Sequence, residues 1–231
     1  MNSNLLQGLG VSLETTAIMY LILVFVVGCT TTGTATGPTA SSSDSPSNKS
    51  ATEERNPDKL ENIPLVWKPT ASLGSMGSVD LADLEDVKLQ VDRLADNREN
   101  PGAIGQNFEK TPRRVSTPDD VSAFVTDHMK SLISRAGIDV VASGGIAILK
   151  GEIKQFFVDE TEIYQGDVRL RLTLTNPDGE VLWTGTIRGA NIRFGRSYKA
   201  ENYYETLSDS LINAAYRLVH DAGFRKALSG K

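Results

Sequence analysis

Sulfur and imidazole are scarce in this chain, whose 231 residues include one cysteine, Cys29, and two histidines, His128 and His220. A single cysteine excludes an internal disulfide and leaves a zinc cluster without sulfur ligands. Positive charge is not in excess either, because 24 Lys and Arg stand against 29 Asp and Glu, for a net charge of −5. Without a basic surplus to neutralise phosphates, nucleic acid is a poor candidate partner.

Long hydrophobic runs are also few, and the one near the amino terminus, AIMYLILVFVV, covers residues 17–27. It has the length of a secretory signal core and falls well short of the roughly 20 residues needed to span a bilayer. Lys and Arg are absent before it, although a signal peptide usually carries positive charge there. The run predicts a signal peptide over residues 1–28.

Cys29 follows this run in the order Val26, Val27, Gly28, Cys29. The stretch resembles the lipobox of bacterial lipoproteins, with Val26 where Leu is usual. In that family the cysteine thiol receives a diacylglyceryl group, the chain is cut before the cysteine, and the new amino terminus is acylated. A thiolate is a nucleophile good enough for the lipid transfer. The resemblance implies that Cys29 carries lipid, including palmitate; the alternative is a buried cysteine in a short hydrophobic helix.

Ser, Thr, Gly and Pro dominate residues 30–58, which hold no aliphatic residue larger than Ala. Such a composition cannot bury enough apolar surface to offset chain entropy, so we expect a disordered tether with a reach of roughly 30 Å. Thr30 stands where, by analogy with Gram-negative lipoproteins, an Asp would favour the inner membrane. We therefore expect the outer membrane, with the domain facing the periplasm.

The remaining chain is long enough to bury a sizeable core. The expected organisation is a signal peptide over residues 1–28, a lipidated cysteine with tether over 29–58, and one globular domain over 59–231. Alternating Val87, Leu89 and Val91 predict a strand, and residues 104–116 (IGQNFEKTPRRVS) predict a loop.

A helix is predicted after Thr117, which would cap it, with Pro118, Asp119 and Asp120 in its first turn and Gly137 at its end. Its apolar residues recur at helical spacing and predict a core-facing stripe. They are Val121, Phe124, Val125, Met129, Leu132 and Ile133.

Two strands follow, residues 146–158 and 166–175, and an Asn-Pro-Asp-Gly turn at 176–179 returns the chain through 180–190. Their Arg and Thr face should be solvated, so the other face should meet the helices. A helix over about 201–221 closes the chain, with Gly223 expected to end it. The predicted fold is α+β: an antiparallel or mixed sheet with two amphipathic helices on one face, in the order β-α-β-β-β-α.

Short phrases along the chain are together similar to the YajG family of small Gram-negative lipoproteins. They are the lipobox, Asp92-Arg93 and Asn97-Arg98 followed by Ile104-Gly105, the helix closing on RAGIDV, the strand IYQGDVRLRLTL, the 176–179 hairpin and the final helix before GFRKAL. The resemblance implies this architecture and address, and no reaction. A looser likeness to auxiliary lipoproteins of ABC-type lipid transporters implies a comparable layout.

Catalytic patterns do not stand out. The chain lacks a G-x-S-x-G motif, and both histidines fall in predicted helices. An acidic cluster lacks the ordered ligand pattern of a calcium loop and is better explained as a solvated hairpin tip. Its members are Asp159, Glu160, Glu162 and Asp167. We expect no enzyme, no cofactor and no metal.

Arginine and tyrosine concentrate between residues 188 and 204, as they do at interface hot spots. Arg193, Arg196 and Tyr198 are the candidate partner-binding residues; the alternative is a strand end with exposed cations and core-facing aromatics. The leading hypothesis is a lipid-anchored, non-enzymatic binding or scaffold module for an envelope protein partner. An accessory subunit of an envelope lipid or ABC-type transport system is the alternative, and an envelope hydrolase comes third.

Overall fold

A computed structural model describes residues 59–76, 81, 84 and 87–230, all of which belong to the unit Glu53–Lys231. The predicted signal peptide, Cys29 and the predicted tether lie outside the described residues. Within the described ranges, every helix is too short or too polar to cross a membrane.

Eight strands and three helices make up the described part. The strands are β1 Lys88–Val91, β2 Ala95–Asp96, β3 Ala103–Asn107, β4 Arg113–Ser116, β5 Asp139–Val141, β6 Ala147–Glu160, β7 Tyr164–Thr175 and β8 Val181–Arg193. The helices are α1 Val121–Arg135, α2 Ala200–His220 and α3 Ala222–Ser229, and a 3-10 turn spans Leu73–Met76.

Strand β6 is the central strand of the sheet. One edge of it pairs antiparallel with β7, from Ile148 opposite Thr175 to Glu160 opposite Tyr164, and β7 in turn pairs with β8. The other edge pairs in parallel with β1, β2 and β3 in succession, and β5 and β4 extend the sheet beyond β1 and β3. The α+β class with a mixed sheet is confirmed.

Side-chain alternation separates the two faces of this sheet. Along β7, Val168, Leu170 and Leu172 are buried while Arg169 and Arg171 are exposed, as a period of two requires. The predicted Arg and Thr face is thus the solvent face, where Asp167 binds Arg169 and Arg188. The helices cover the opposite face, and the core lies between the two layers.

The sequence-predicted loop over residues 104–116 is wrong. This stretch forms the antiparallel hairpin of β3 and β4, with Ile104 and Val115 fully buried. Each strand is too short to show a period by itself, and β3 is held by parallel pairing with β6, from Gly105 opposite Val158 to Asn107 opposite Glu160.

The start of α1 also differs from the prediction. Its N-cap is Asp120, whose carboxylate accepts a hydrogen bond from the backbone N–H of Ala123 at 2.9 Å. Thr117, the expected cap, instead accepts from the N–H of Asp119 at 3.1 Å, so it closes a turn before the helix. Gly137 follows the helix with a φ of +108°, as a helix-ending glycine should.

Helix α2 lies on β7 and β8 at close range. A Cβ built on Gly189 would stand 1.9 Å from the carbonyl oxygen of Ser210, so only glycine permits this approach. Gly223 does not end α2, because Asp221 caps a new helix, α3, by accepting from the N–H of Phe224 at 2.7 Å.

Residues 60–71, which we call the strap, cross the helical layer. The buried carboxylate of Asp209 on α2 accepts hydrogen bonds from the N–H groups of Thr70 at 2.8 Å and Ala71 at 3.0 Å. Two residues before Thr70, the N–H of Lys68 donates to the hydroxyl of Ser208 at 3.0 Å. The strap therefore belongs to the fold although it contains no helix or strand.

Candidate functional site

One register row crosses the sheet at its end: Asn107 of β3, Glu160 of β6, Tyr164 of β7 and Arg193 of β8. The chain leaves β8 at this end and passes through residues 194–199 into α2. Four strands and one loop therefore meet here. Polar groups of this row form hydrogen bonds that fix the conformation of the loop.

Glu160 is the centre of the row and is 1% exposed. One carboxylate oxygen accepts from the backbone N–H of Tyr198 at 2.7 Å, and the other accepts from the hydroxyl of Tyr203 at 2.5 Å. A solvated hairpin tip was expected for this residue. The structure differs because β6 continues through Glu160, which places its side chain on the helix-facing side.

Two tyrosine hydroxyls stay protonated around this carboxylate. Burial, reinforced by the hydrogen bond and charge of Glu160, raises the pKa of Tyr203 well above its ordinary value. Burial likewise raises the pKa of Tyr164. Both hydroxyls therefore act as donors at neutral pH, Tyr203 to the carboxylate of Glu160 and Tyr164 to the carbonyl of Arg196.

The loop over residues 194–199 is held by hydrogen bonds near its centre. Its Arg196 carbonyl accepts from the hydroxyl of Tyr164 at 2.6 Å and from the amide of Asn202 at 2.9 Å. Tyr198 has a φ of +53°, a left-handed conformation that costs energy for a side chain of this size. The bonds around it offset that strain and keep the loop in one shape.

The three predicted partner-binding residues occupy different environments. Arg193 is half-buried and ion-paired with Glu205 of α2. Tyr198 is buried: its hydroxyl accepts from the N–H of Leu60 at 3.0 Å and donates to the carbonyl of Arg114 at 3.0 Å. Only Arg196 of the three is exposed. Their role in binding a partner stays a prediction.

Exposed apolar side chains lie beside Arg196 at the same end of the sheet. Phe194 is 80% exposed, Ile192 is 64% exposed and Phe108 is 45% exposed. We call these three residues and Arg196 the sheet-end corner. Sequence reasoning missed Phe108, which lay in a predicted loop, and Ile192, which lay beyond the predicted end of its strand at residue 190.

Strand β8 forms a long sheet edge, since it pairs with β7 and with no other strand of the described part. The side-chain amide of Asn213 on α2 donates to the carbonyl of Ala190 at 2.9 Å, so the peptide groups of Ala190 point away from β7. Alternation then points the peptide groups of Arg188 and Thr186 outward as well.

Among the described residues, His128 contacts an aromatic ring and His220 a backbone carbonyl. His128 stacks on Trp67 of the strap at 4.0 Å between ring centres, and burial lowers its pKa. His220 contacts the carbonyl of Tyr216 at 2.8 Å through Nδ1. Within the described ranges, no group of three His, Cys, Asp or Glu side chains is placed to hold a metal ion.

A groove of about 190 Å³ lies between the strap and the two long helices, lined by residues that include Trp67, Leu73, Leu132 and Ile212. Ligand pockets usually measure about 300–1,000 Å³. The groove is therefore small for a lipid or a cofactor. Cys29 and the lipobox residues Val26, Val27 and Gly28 lie outside the described residues, so their predicted role stays a prediction.

No protein-family model and no curated protein matches the chain. Among solved structures it is similar to a DUF330 protein from Xanthomonas campestris, with 14% identity and a TM-score of 0.47 over 74% of this chain and 92% of that one. It is similar to a candidate lipoprotein from Caulobacter crescentus CB15, with 8% identity and a TM-score of 0.41 over 65% and 96% of the two chains.

A third similar structure is a PelC dodecamer from Paraburkholderia phytofirmans, with 15% identity and a TM-score of 0.33 over 59% of this chain and 92% of that one. The likeness to YajG proteins stays an expectation. With identities this low and TM-scores below 0.5, we base the function of this chain on its own residues.

Proposed function

We propose that this protein is a lipid-anchored, non-enzymatic binding module of the bacterial envelope, and that it holds an extended segment of a protein partner along β8. The observation that carries the proposal is the open edge of this strand: the outward backbone groups of Arg188 and Thr186 have no strand partner among the described residues, whereas the carbonyl of Ala190 is taken by Asn213. Such an edge pairs with any extended chain that can reach it.

The length of β8 sets it apart from the other sheet edges. It has 13 residues, whereas the edge strands β4 and β5 have 4 and 3. Proteins usually protect an edge by shortness, by lysine or by proline, and β8 contains neither residue type. Val181 and Leu182 add exposed apolar side chains at the start of the strand, which a partner strand could cover.

The absence of an enzyme activity is supported by how the buried polar groups are used. Glu160, Tyr203 and Asp209 all bind backbone or side chains of the fold itself. A general acid or base needs an accessible reacting atom within hydrogen-bond reach. The small groove beside the strap gives no support to the alternative of a lipid-handling transport subunit.

The address follows from the amino-terminal sequence. The lipobox supports an anchor at Cys29, and Thr30 in place of Asp supports the outer membrane, with the domain facing the periplasm. These residues lie outside the described part, so the address is proposed on the sequence pattern alone.

Site-specific photo-crosslinking in cells tests the partner edge. A photoreactive amino acid replaces Thr184 on β8 or, as the matched control, Lys150 on β6. Both positions lie in one register row on the solvent face, with Thr173 of β7 between them. We expect a discrete protein adduct from position 184 and none from position 150, because β8 has an open edge, whereas β6 pairs with strands on both sides.

Two substitutions at Thr186 then separate backbone pairing from side-chain contact. Thr186→Pro removes an outward N–H without breaking a β7–β8 hydrogen bond, so it should abolish the adduct. Thr186→Val keeps the N–H and should retain it. Equal adducts from positions 184 and 150, or an adduct that survives Thr186→Pro in a protein with a normal melt, would contradict strand pairing.

A further inference from the structure

We infer that the sheet-end corner lies against the headgroups of the membrane in which the protein is anchored. In this orientation the opposite end of β8 points away from the lipid. The inference rests on the lipid anchor of the proposed function. It assigns the corner an occupant, a lipid surface carrying anionic headgroups, that is distinct from the protein partner along β8.

The place where the chain enters the domain is the first argument. The described chain begins at Lys59, and the N–H of Leu60 donates to the hydroxyl of Tyr198 in the loop that carries the corner. Leu60 also bridges to Val115 of β4. The anchor-bearing part of the chain therefore joins the domain at this end of the sheet.

The second argument is the exposure of the corner. Phe108 and Phe194 directly follow the two outer members of the end row, Asn107 and Arg193, and three strand spacings of about 4.8 Å separate them across the sheet. Aromatic and aliphatic side chains in this position suit the interface between headgroups and acyl chains. Phe194 begins the 194–199 loop, whose Arg196 carbonyl is held by the hydroxyl of Tyr164.

Charge is the third argument. Six cationic side chains, with Arg196 of the corner among them, lie at this end of the sheet, against four exposed acidic ones, in a chain whose net charge is −5. The cations are Lys59, Lys110, Arg113, Arg114, Arg196 and Lys199, and the acids are Glu61, Glu109, Asp159 and Glu162. Cations next to a bilayer gain from anionic lipid. These ten charges at this end of the sheet therefore sum to about +2, a sign that suits anionic lipid.

The length of the amino-terminal segment explains why these contacts are needed. The 29 residues between Cys29 and Lys59 span at most about 100 Å, whereas a strand as long as β7 spans only about 40 Å. The anchor alone therefore permits any orientation of the domain. It also holds the domain near the lipid at a high effective concentration, so individually weak contacts can select one orientation.

Fluorescence quenching in vesicles tests the orientation with the full lipidated chain. Because Cys29 is the chain's only cysteine and its thiol would carry lipid, an introduced cysteine becomes the only labelling site. A fluorophore is attached to Thr111→Cys, in the loop between β3 and β4, or to Asp178→Cys, in the turn between β7 and β8 at the far end. The vesicles contain phosphatidylethanolamine, phosphatidylglycerol and headgroup-labelled quencher lipid.

We expect several-fold stronger quenching at position 111 than at position 178. The double variant Ile192→Ser with Phe194→Ser should lower quenching at 111 towards the value at 178. The matched control, Val181→Ser with Leu182→Ser at the other end of the same strand, should leave it unchanged. Replacing phosphatidylglycerol by phosphatidylcholine should also lower it.

Three results would overturn the inference. Equal quenching at the two labels would mean that the anchor leaves the domain unoriented, and stronger quenching at 178 would mean the opposite orientation. Strong quenching at 111 that both double variants leave unchanged would assign the orientation to the amino-terminal segment. Mass spectrometry of the amino-terminal peptide separates this from the proposed function, since an unmodified Cys29 would contradict the anchor itself.

Discussion

At the scale of single residues, the sheet end depends on a carboxylate to which no cationic side chain of the described residues is bonded. Glu160 is buried and receives its two hydrogen bonds from the hydroxyl of Tyr203 and the N–H of Tyr198. A buried acceptor that loses a donor retains its desolvation cost. The shape of the loop beneath the corner therefore depends on a few donors, and each of them can be removed separately.

Tyr203→Phe removes one donor and keeps the ring. We expect the free energy of unfolding at pH 7 to fall by about 1–3 kcal/mol, the usual range for a hydrogen bond to a charged or buried group. Tyr216→Phe is the control on the same helix, because the Tyr216 ring packs on His220 away from Glu160. Its effect should stay within about 0.5 kcal/mol. Denaturant unfolding of both variants measures the difference.

The stability difference between wild type and Tyr203→Phe should depend on pH. Since burial raises the pKa of Tyr203, the folded state keeps the phenol proton at a pH where an unfolded tyrosine, with an ordinary pKa of about 10, has lost it. The stabilisation is complete below pH 10 and declines as the pH rises above it. The stability gap between wild type and Tyr203→Phe should therefore narrow above pH 10. A gap that widens there would contradict the assigned role.

At the scale of elements, the decisive packing is that of α2 on the last two strands. Helix and sheet approach so closely that α2 fills the space where a side chain would stand at two glycines: its backbone does so at Gly189 of β8, and the side chains of Ser210 and Thr206 do so at Gly166 of β7. These glycines are needed for lack of a side chain, not for an unusual φ. The apolar face of α2 supplies the buried apolar surface, and the two glycines set the distance between the helix and the sheet.

Gly189→Ala tests this contact. The added methyl would lie 1.9 Å from the carbonyl oxygen of Ser210 and 2.4 Å from the N of Ala214, both backbone atoms that cannot move alone. We expect a loss of about 3 kcal/mol or more in the free energy of unfolding, at or above the upper end for overpacking.

The control is Gly74→Ala, because a Cβ there would meet nothing within 4 Å. It should change stability by no more than about 0.5 kcal/mol. If the two alanine variants unfold at the same denaturant concentration, then α2 does not pack against β8 at the distance described.

At the scale of the whole molecule, the chain joins an expected membrane anchor to a domain for which we propose binding by its surface. The anchor is expected at Cys29, and the described domain begins at Lys59, whose neighbour Leu60 is already buried in the fold. The described core is built from side chains of the strap and of the chain after it, beginning with Leu60. Anchoring and folding should therefore be separable.

Cys29→Ser should abolish labelling with radioactive palmitate and block cleavage before residue 29, because a hydroxyl is a far weaker nucleophile than a thiolate. The uncut chain should remain with its apolar run, while its domain melts within a degree or two of the wild-type temperature. Palmitate labelling, amino-terminal mass spectrometry and a thermal melt measure the three effects. Continued labelling of the serine variant would place the lipid elsewhere.

Local pattern was sufficient for the long elements. The alternation along β6, β7 and β8 and the helical spacing in α1 and α2 appear in the sequence because each of these elements is long enough to show its period and buries one face. The α+β class and the solvated Arg and Thr face follow from the same pattern. For the residues before the described part, sequence motifs are the only evidence, so the prediction of a lipid anchor depends on the lipobox alone.

Tertiary structure decided whatever depends on contacts distant in sequence. β3 and β4 are strands because the edge of β6 offers them partners, and Glu160 is buried because Tyr203, 43 positions later, closes over it. Tyr198 is buried because Leu60, 138 positions earlier, binds its hydroxyl. Sequence spacing reports only local periods, and these side chains acquire their roles when the sheet and the strap bring them together.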